Sequence, residues 1–299
     1  RLVQALHFAA VLNDSIAQQG VAGSFGWCLA DYNTHREFGS GDRICYHGVM
    51  DMFRNPKLAA RVYECQQEEH TVLELSSSMD IGEHPGCNRG ETYIFTNADS
   101  VRMYKNDRFI KEYRPEMSPY KHLKHGPILI DDFIGDALEK NERFRPKHAK
   151  EMADAMNIVA RGSLNHIPKR LYPTALKLAL LYHIDFAEVT KLYTKYIGDW
   201  GGTATVYRFD AIKNGKVIKS VTKEPVNGIR LQAEADHTNL TEHHSYDVAL
   251  VRIRAVDAHG NVLPFYQEPV RITAEGDIAI IGPDTIALQG GMAVSYTHL

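Results

Sequence analysis

The sequence predicts a multidomain chain in which an α/β segment precedes all-β modules, the first of them carrying a helical insertion. Three observations predict this. Residues 1–67 run helix, apolar strand, long polar loop, helix. From about residue 69 the pattern changes to alternation with period two. A block of helical periodicity at about 131–199 interrupts that alternation, which then resumes to the end. Apolar residues make up 44% and charged residues 24%, an ordinary globular composition. The net charge of −3 provides no basic footprint for nucleic acid. No apolar run approaches the roughly 18 residues that suggest a membrane span.

Leu2, Leu6, Ala9, Ala10 and Asn13 fall at helical spacing, predicting a helix over residues 2–18 that stops before Gly20. "VAGSFGWCLA" follows and reads as a short strand, apolar throughout and hence buried on both faces of a parallel sheet. After the polar loop, Asn55 is expected to cap and Pro56 to open a helix with Leu58, Ala59, Val62, Tyr63 and Gln66 along one stripe. This rhythm belongs to an α/β barrel or a doubly wound sheet, whose chemistry sits at the carboxyl ends of the strands.

"HTVLELSSS" and "ETYIFTNADSVRMYKNDRFI" alternate as antiparallel strands, with a tight turn at Asn106-Asp107. Residues 146–161 place Ala149, Met152, Ala153, Met156, Val159 and Ala160 on one helical face and stop at Gly162. Pro173 opens a second helix of the block through Leu176, Ala179 and Leu180. Asp185 and Glu188 form a capping-box pattern for a third, ending near Gly198. "GTATVYRFDAI" returns to strand and turns at Asn214-Gly215. Ile229, Leu231, Ala233 and Ala235, then Val251, Ile253 and Ala255, alternate with polar residues as a second sandwich, with a turn at "AHGN". "VSYTHL" breaks that alternation, so residues 291–299 are expected to lie outside the native pattern. The chain opens inside a helical pattern and closes inside a β pattern, and is therefore read as an internal fragment. The domains expected are 1–67, 68–228 and 229–299.

The functional candidates cluster where the apolar strand meets its loop. Trp27 can present an aromatic face to the C–H side of a sugar ring. Asp31, Asn33, His35 and Asp42 can exchange hydrogen bonds with hydroxyls. The same residues also serve as core packing and as Asx turns, whereas Glu37 and Asp51 read as solvated or capping groups. Cys28, Cys45, Cys65 and Cys87 lack C-x-x-C spacing, so neither a zinc site nor a disulfide framework is indicated and reduced thiols are expected. The "DHTNLTEHHSYD" segment, with His237, His243, His244 and Asp247, matches no zinc spacing and reads as a solvated loop. No phosphate-cradling glycine loop and no nucleophile elbow is present.

Over "GWCLADYNTHREFGSGDRICYHGVMDMFRNPKLAARVYECQ" the chain resembles a glycoside hydrolase of family 2, the β-galactosidase type. "YIFTNADSVRMYKNDRFI" is similar, less specifically, to the Ig-like sandwich that follows the barrel in that family. The resemblance implies the C-terminal piece of a (β/α)8 barrel in residues 1–67, followed by Ig-like sandwich domains. It implies retaining hydrolysis of terminal β-glycosides by two glutamates about 5 Å apart. Both glutamates would lie upstream of position 1, leaving no catalytic residue in this chain and an inactive fragment. Trp27 and Asp31 would then wall a sugar subsite, with Asn33, His35 and Asp42 on its rim. No cofactor and no metal are implied. The partner implied is a β-glycoside, with no nucleic acid and no membrane. A homo-oligomer is left open, and the cytoplasm is favoured. Two alternatives stand beside this: a non-catalytic carbohydrate-binding or scaffolding module, and a catalytic dyad of Asp31 with Asp42. β-Glucuronide or β-mannoside specificity stands beside β-galactoside.

Overall fold

A computed structural model of the chain describes residues 1–37, 41, 43–142, 144–162, 168–198, 204–225 and 228–298. These divide into two compact units, 1–225 and 226–299. In the first unit, α1 (Leu2–Ala17) leads to the two-residue strands β1 (Tyr32–Asn33) and β2 (Ile44–Cys45), then α2 (Leu58–Glu64). The strands β3 (Leu73–Leu75), β4 (Tyr93–Thr96), β5 (Ser100–Lys105), β6 (Arg108–Tyr113) and β7 (Ile128–Leu129) come next. The helices α3 (Ala137–Glu142), α4 (Pro146–Arg161), α5 (Tyr172–Tyr182) and α6 (Phe186–Tyr196) precede β8 (Tyr207–Lys213) and β9 (Lys216–Lys223).

Two antiparallel sheets, β3-β4-β7 and β6-β5-β8-β9, share one core with the helical block. Ile94, Val101, Met103, Tyr207 and Phe209 meet Met152, Met156, Leu192 and Tyr193 there. Strand β4 is buried on both faces, as its alternation allows. Ile94 points into the core shared by the sheets and the helical block, while Tyr93 and Phe95 point the other way into a second core built by α1 and α2. In that second core Ala5 and Ala9 of α1 lie against Ala59 and Val62 of α2. The turns are as the sequence predicts. Asn106 and Asp107 take φ of 48° and 60°, and Asn214 and Gly215 take 51° and 73°, the left-handed pair that a two-residue hairpin needs.

The helical block follows its caps. Helix α4 occupies the predicted residues, buries Ala149, Met152, Ala153, Met156 and Ala160, and ends at Gly162. The Asp185 side chain accepts from the Glu188 N–H at 2.7 Å at the start of α6. In α5, Leu178 turns inward while Leu176 and Leu180 face solvent. The block is fastened to the sheets by Asn88 and Arg89. Both Arg89 and Gly90 amides donate to the Ala160 carbonyl at the end of α4 (2.8 and 3.1 Å). The Arg89 guanidinium, 3% exposed, donates to the carbonyls of Ile197 (3.0 and 2.6 Å) and Met79 (3.0 Å) and lies over the Tyr207 ring. A cation at the carboxyl end of α6 complements the helix dipole there.

The second unit holds β10 (Arg230–Ala235), β11 (Val248–Val256), β12 (Pro269–Arg271), β13 (Ala279–Ile281), β14 (Thr285–Ala287) and β15 (Met292–His298). Its four-stranded sheet runs β10-β11-β15-β13, and β12 pairs with β14. Ile253, Ala255 and Leu288 form its core, with Val251, Val270, Ile272 and Ile286 packed on them. No described helix of either unit is long and apolar enough to cross a membrane.

Three sequence expectations are corrected. Residues 21–29 form no strand and are largely exposed, with Phe25 fully so. An apolar run becomes a strand only where neighbours complete its ladder, and among the described residues only Ala30 gains a bridge, to Met50. Helix α2 starts after Lys57, not at Pro56, because Asn55 is already engaged by Asp51. The C-terminal residues are not outside the pattern, since β15 pairs with β11 over seven positions and with β13 over three.

The Asp51 turn has a twin. Asp51 Oδ1 accepts from the amides of Phe53 and Asn55 (2.9 and 2.8 Å), and Asp257 Oδ1 accepts from those of His259 and Asn261 (2.9 and 2.8 Å). In each, the Asn amide returns to the second carboxylate oxygen, at 2.9 and 2.8 Å. The fourth residue has positive φ, Arg54 at 66° and Gly260 at 82°. Arg54→Gly should therefore stabilise unit 1 by up to about 1 kcal/mol, the left-handed penalty of a residue with a Cβ, seen as a rise in the urea midpoint. Arg89→Met should cost about 3 kcal/mol or more in the same measurement, because it strands buried carbonyls of Ile197 and Met79.

Candidate functional site

The exposed stretch 21–29 and the polar loop after it meet at a buried knot. The Met50 amide donates to the Leu29 carbonyl (2.9 Å), Val49 to Cys28 (3.0 Å), Asp31 to Met50 (3.0 Å) and Lys57 to Val49 (3.0 Å). Inside this frame Asp31 Oδ1 receives Lys57 Nζ at 2.6 Å and the Gly48 amide at 2.9 Å. The Asp31 and Lys57 side chains are 4% and 5% exposed. Lys57 Nζ also donates to the Tyr46 carbonyl at 3.3 Å. Removing one member of such a buried pair costs about 3–5 kcal/mol, because the other charge is left without a partner. Gly48 is required by space alone, as a Cβ there would lie 2.2 Å from the Asp31 nitrogen and 2.5 Å from the Met50 oxygen. From α1, Gln4 Nε2 donates to the carbonyls of Tyr46, His47 and Gly48 at 3.1–3.2 Å, holding the loop to the helix pair.

Trp27 stands 73% exposed, on a cis peptide to Cys28, and its indole N–H donates to the Tyr32 hydroxyl at 3.4 Å. Tyr32 pairs with Cys45 across β1 and β2, and its phenol, hydrogen bonded to the Cys45 thiol, sits above the usual tyrosine range. Cys45 Sγ in turn lies 3.1 Å from His47 Nδ1. Asn33 is exposed on β1, paired with Ile44. His35 is exposed, and its Nδ1 accepts from the Glu37 amide at 3.3 Å. Asp42 lies outside the described residues. Trp27, Asn33 and His35 thus line exposed chain, while Asp31 is drawn into the knot beneath it. Lys57 and Gly48 escaped the sequence reading. Nothing in the order Asn-Pro-Lys marks a lysine that will be buried, and Gly48 is one glycine among many.

This arrangement can offer an aromatic face and polar rim, and the two carboxylates closest to its frame among the described residues are engaged in the structure. The Asp31 carboxylate is neutralised by Lys57, and that of Asp51 is consumed by its own turn. None of the four cysteines forms a disulfide, and burial pushes the Cys65 thiol well up, which disfavours the reactive thiolate. Among the described residues no group of three or more His, Cys, Asp or Glu could hold a metal ion. In unit 2 His237 is instead occupied by Asp236 at 2.9 Å and Asp247 at 3.6 Å.

No family model matches the chain. It is 31% identical to a β-galactosidase of Thermoanaerobacterium thermosulfurigenes over 288 residues, 94% of this chain and 32% of that one. It is 31% identical to a β-galactosidase of Rhizobium radiobacter over 103 residues, 34% of this chain and 73% of that one. Among solved structures, a glycosyl hydrolase family 2 member from Bacteroides cellulosilyticus shares the fold with a TM-score of 0.54 at 11% identity, over 98% of this chain and 33% of that one. The chain spans about a third of the length of the longer relatives it matches.

Gly48→Ala should separate the loop from the Asp31 segment and destabilise unit 1 by about 2–4 kcal/mol, since backbone on both sides must move. Thermal unfolding of the purified variant checks this.

Proposed function

The chain belongs to glycoside hydrolase family 2, the β-galactosidase type, and on that premise we propose that it is the C-terminal portion of a retaining enzyme cleaving terminal β-galactosides in carbohydrate catabolism. The observation that carries the reading is the 31% identity to a β-galactosidase across 94% of the chain. The reacting glutamates belong to the part of the longer protein that precedes this chain. One protonates the leaving oxygen and the other attacks the anomeric carbon to form the glycosyl-enzyme. Residues 1–67 are the last strand and flanking helices of the catalytic barrel, residues 68–228 an Ig-like sandwich with a helical insertion, and residues 229–299 a second sandwich.

Two features of the structure support this. Val21, Phe25, Trp27 and Leu29 are exposed together on a stretch that forms no strand among the described residues, which suits a strand completed by a sheet. The carboxylates of Asp31 and Asp51 are engaged structurally, which suits a wall rather than a reacting pair. In this reading Trp27 stacks on the sugar, and Asn33, His35 and Asp42 reach its hydroxyls from the rim.

The test is hydrolysis of chromogenic aryl β-galactoside, β-glucuronide and β-mannoside. The 299-residue chain should turn over none of them. Replacing the matching third of the Thermoanaerobacterium thermosulfurigenes β-galactosidase with this chain should restore cleavage, with the galactoside preferred. In that chimera Trp27→Ala should lower kcat/KM at least about tenfold, a loss of roughly 1.4 kcal/mol of stacking. Turnover by the isolated chain that disappears in Asp31→Ala or Asp42→Ala would overturn the proposal in favour of a dyad.

A further inference from the structure

We propose that the buried Asp31–Lys57 pair is a positioning element, which clamps the loop Ile44–Gly48 to the segment carrying Trp27 and makes no contact with a ligand itself. Its bearing on a sugar wall rests on the function proposed above, whereas the clamp does not.

The geometry points to this from three sides. A carboxylate that binds hydroxyls needs an open face, and the Asp31 side chain has almost none. Its Oδ1 gathers two donors from two different segments, the Gly48 amide of the loop and the Lys57 ammonium at the start of α2. Lys57 carries the connection on to the Tyr46 carbonyl, so one ammonium touches both the loop and the end of the Trp27 segment. The indole has a single hydrogen bond of its own, to Tyr32, and Tyr32 is paired through β1 and β2 with Cys45 of the same loop. Whatever holds that loop therefore sets where Trp27 stands. A pair out of water is suited to the task, because separating it exposes each charge to a medium that screens it poorly. The backbone bonds of the frame alone tolerate sliding, whereas an ammonium and an amide sharing one oxygen define a single register.

The experiment uses the full chain with Trp200→Phe, so that Trp27 is the only indole. Hydrogen–deuterium exchange is followed in peptides covering 27–32 and 44–57, beside the near-ultraviolet circular dichroism of Trp27. Lys57→Met should speed exchange in both peptides at least tenfold and collapse the Trp27 band. Peptides from β5, β6 and β8 should keep their rates. Lys57→Arg, which retains the charge and a donor, should restore most of the protection and the band. Should Lys57→Met not fold, Asp31→Asn/Lys57→Met, which leaves no unpaired charge, carries the same expectation. Unchanged exchange and an unchanged band would overturn the proposal. Equal acceleration in β5, β6 and β8 would overturn it as well, since the pair would then be a general stabiliser. The outcome is independent of the glycoside assays: loss of turnover in the chimera with an intact clamp, or the reverse, assigns the failure to one proposal only.

Discussion

The first unit depends on one strand, Tyr93–Thr96, being buried on both faces. Side chains that alternate along a strand must point to opposite sides, so β4 belongs to two cores at once. Ile94 enters the core that the two sheets share with the helical block, while Tyr93 and Phe95 seat the helix pair α1 and α2. That shared strand seats the helix pair within residues 1–67, although among the described residues the stretch 21–29 forms no strand. It also gives the loop of the candidate site a rigid base, since both Gln4 of α1 and Lys57 at the head of α2 reach into it.

The site itself reverses an easy assumption about polar residues near a strand end. Asp31 is the residue that best fits a ligand-binding role by type and position, and it is the one most completely withdrawn from solvent. Trp27, which suits a core by type, is the exposed one. Both follow from the same geometry. The segment turns inward at Ala30 and Asp31 to bond Met50 and Gly48, and what precedes that turn is left outside.

Much of the fold is legible in particular residues. The Asn-Asp and Asn-Gly pairs announce two hairpins, Gly162 ends α4, and Asp185 with Glu188 opens α6. These signals are local, acting over three or four residues, so no tertiary knowledge is needed to read them. The signal at Asn55-Pro56 is equally local yet ambiguous, because Asn-Pro before an apolar stripe describes a helix start as well as the end of the Asp51 turn. Its twin at Asp257 shares the D-x-x-x-N spacing, a cue that a comparison of the two segments would have revealed. The lining of the site is partly legible: Trp27, Asn33 and His35 stand out by residue type and lie on exposed chain, but Lys57 and Gly48 are not marked by any pattern.

By itself, then, the sequence determined the elements with local causes: helix lengths through caps, hairpins through left-handed turn pairs, and strand faces through alternation. The tertiary structure decided what depends on partners far along the chain. It decided that the apolar stretch 21–29 forms no strand, that β15 becomes an inner strand, and that Asp31 meets Lys57 across 26 residues. A backbone hydrogen bond or a buried charge has no stable state alone, so its fate is set by whichever distant group the fold brings within about 3 Å.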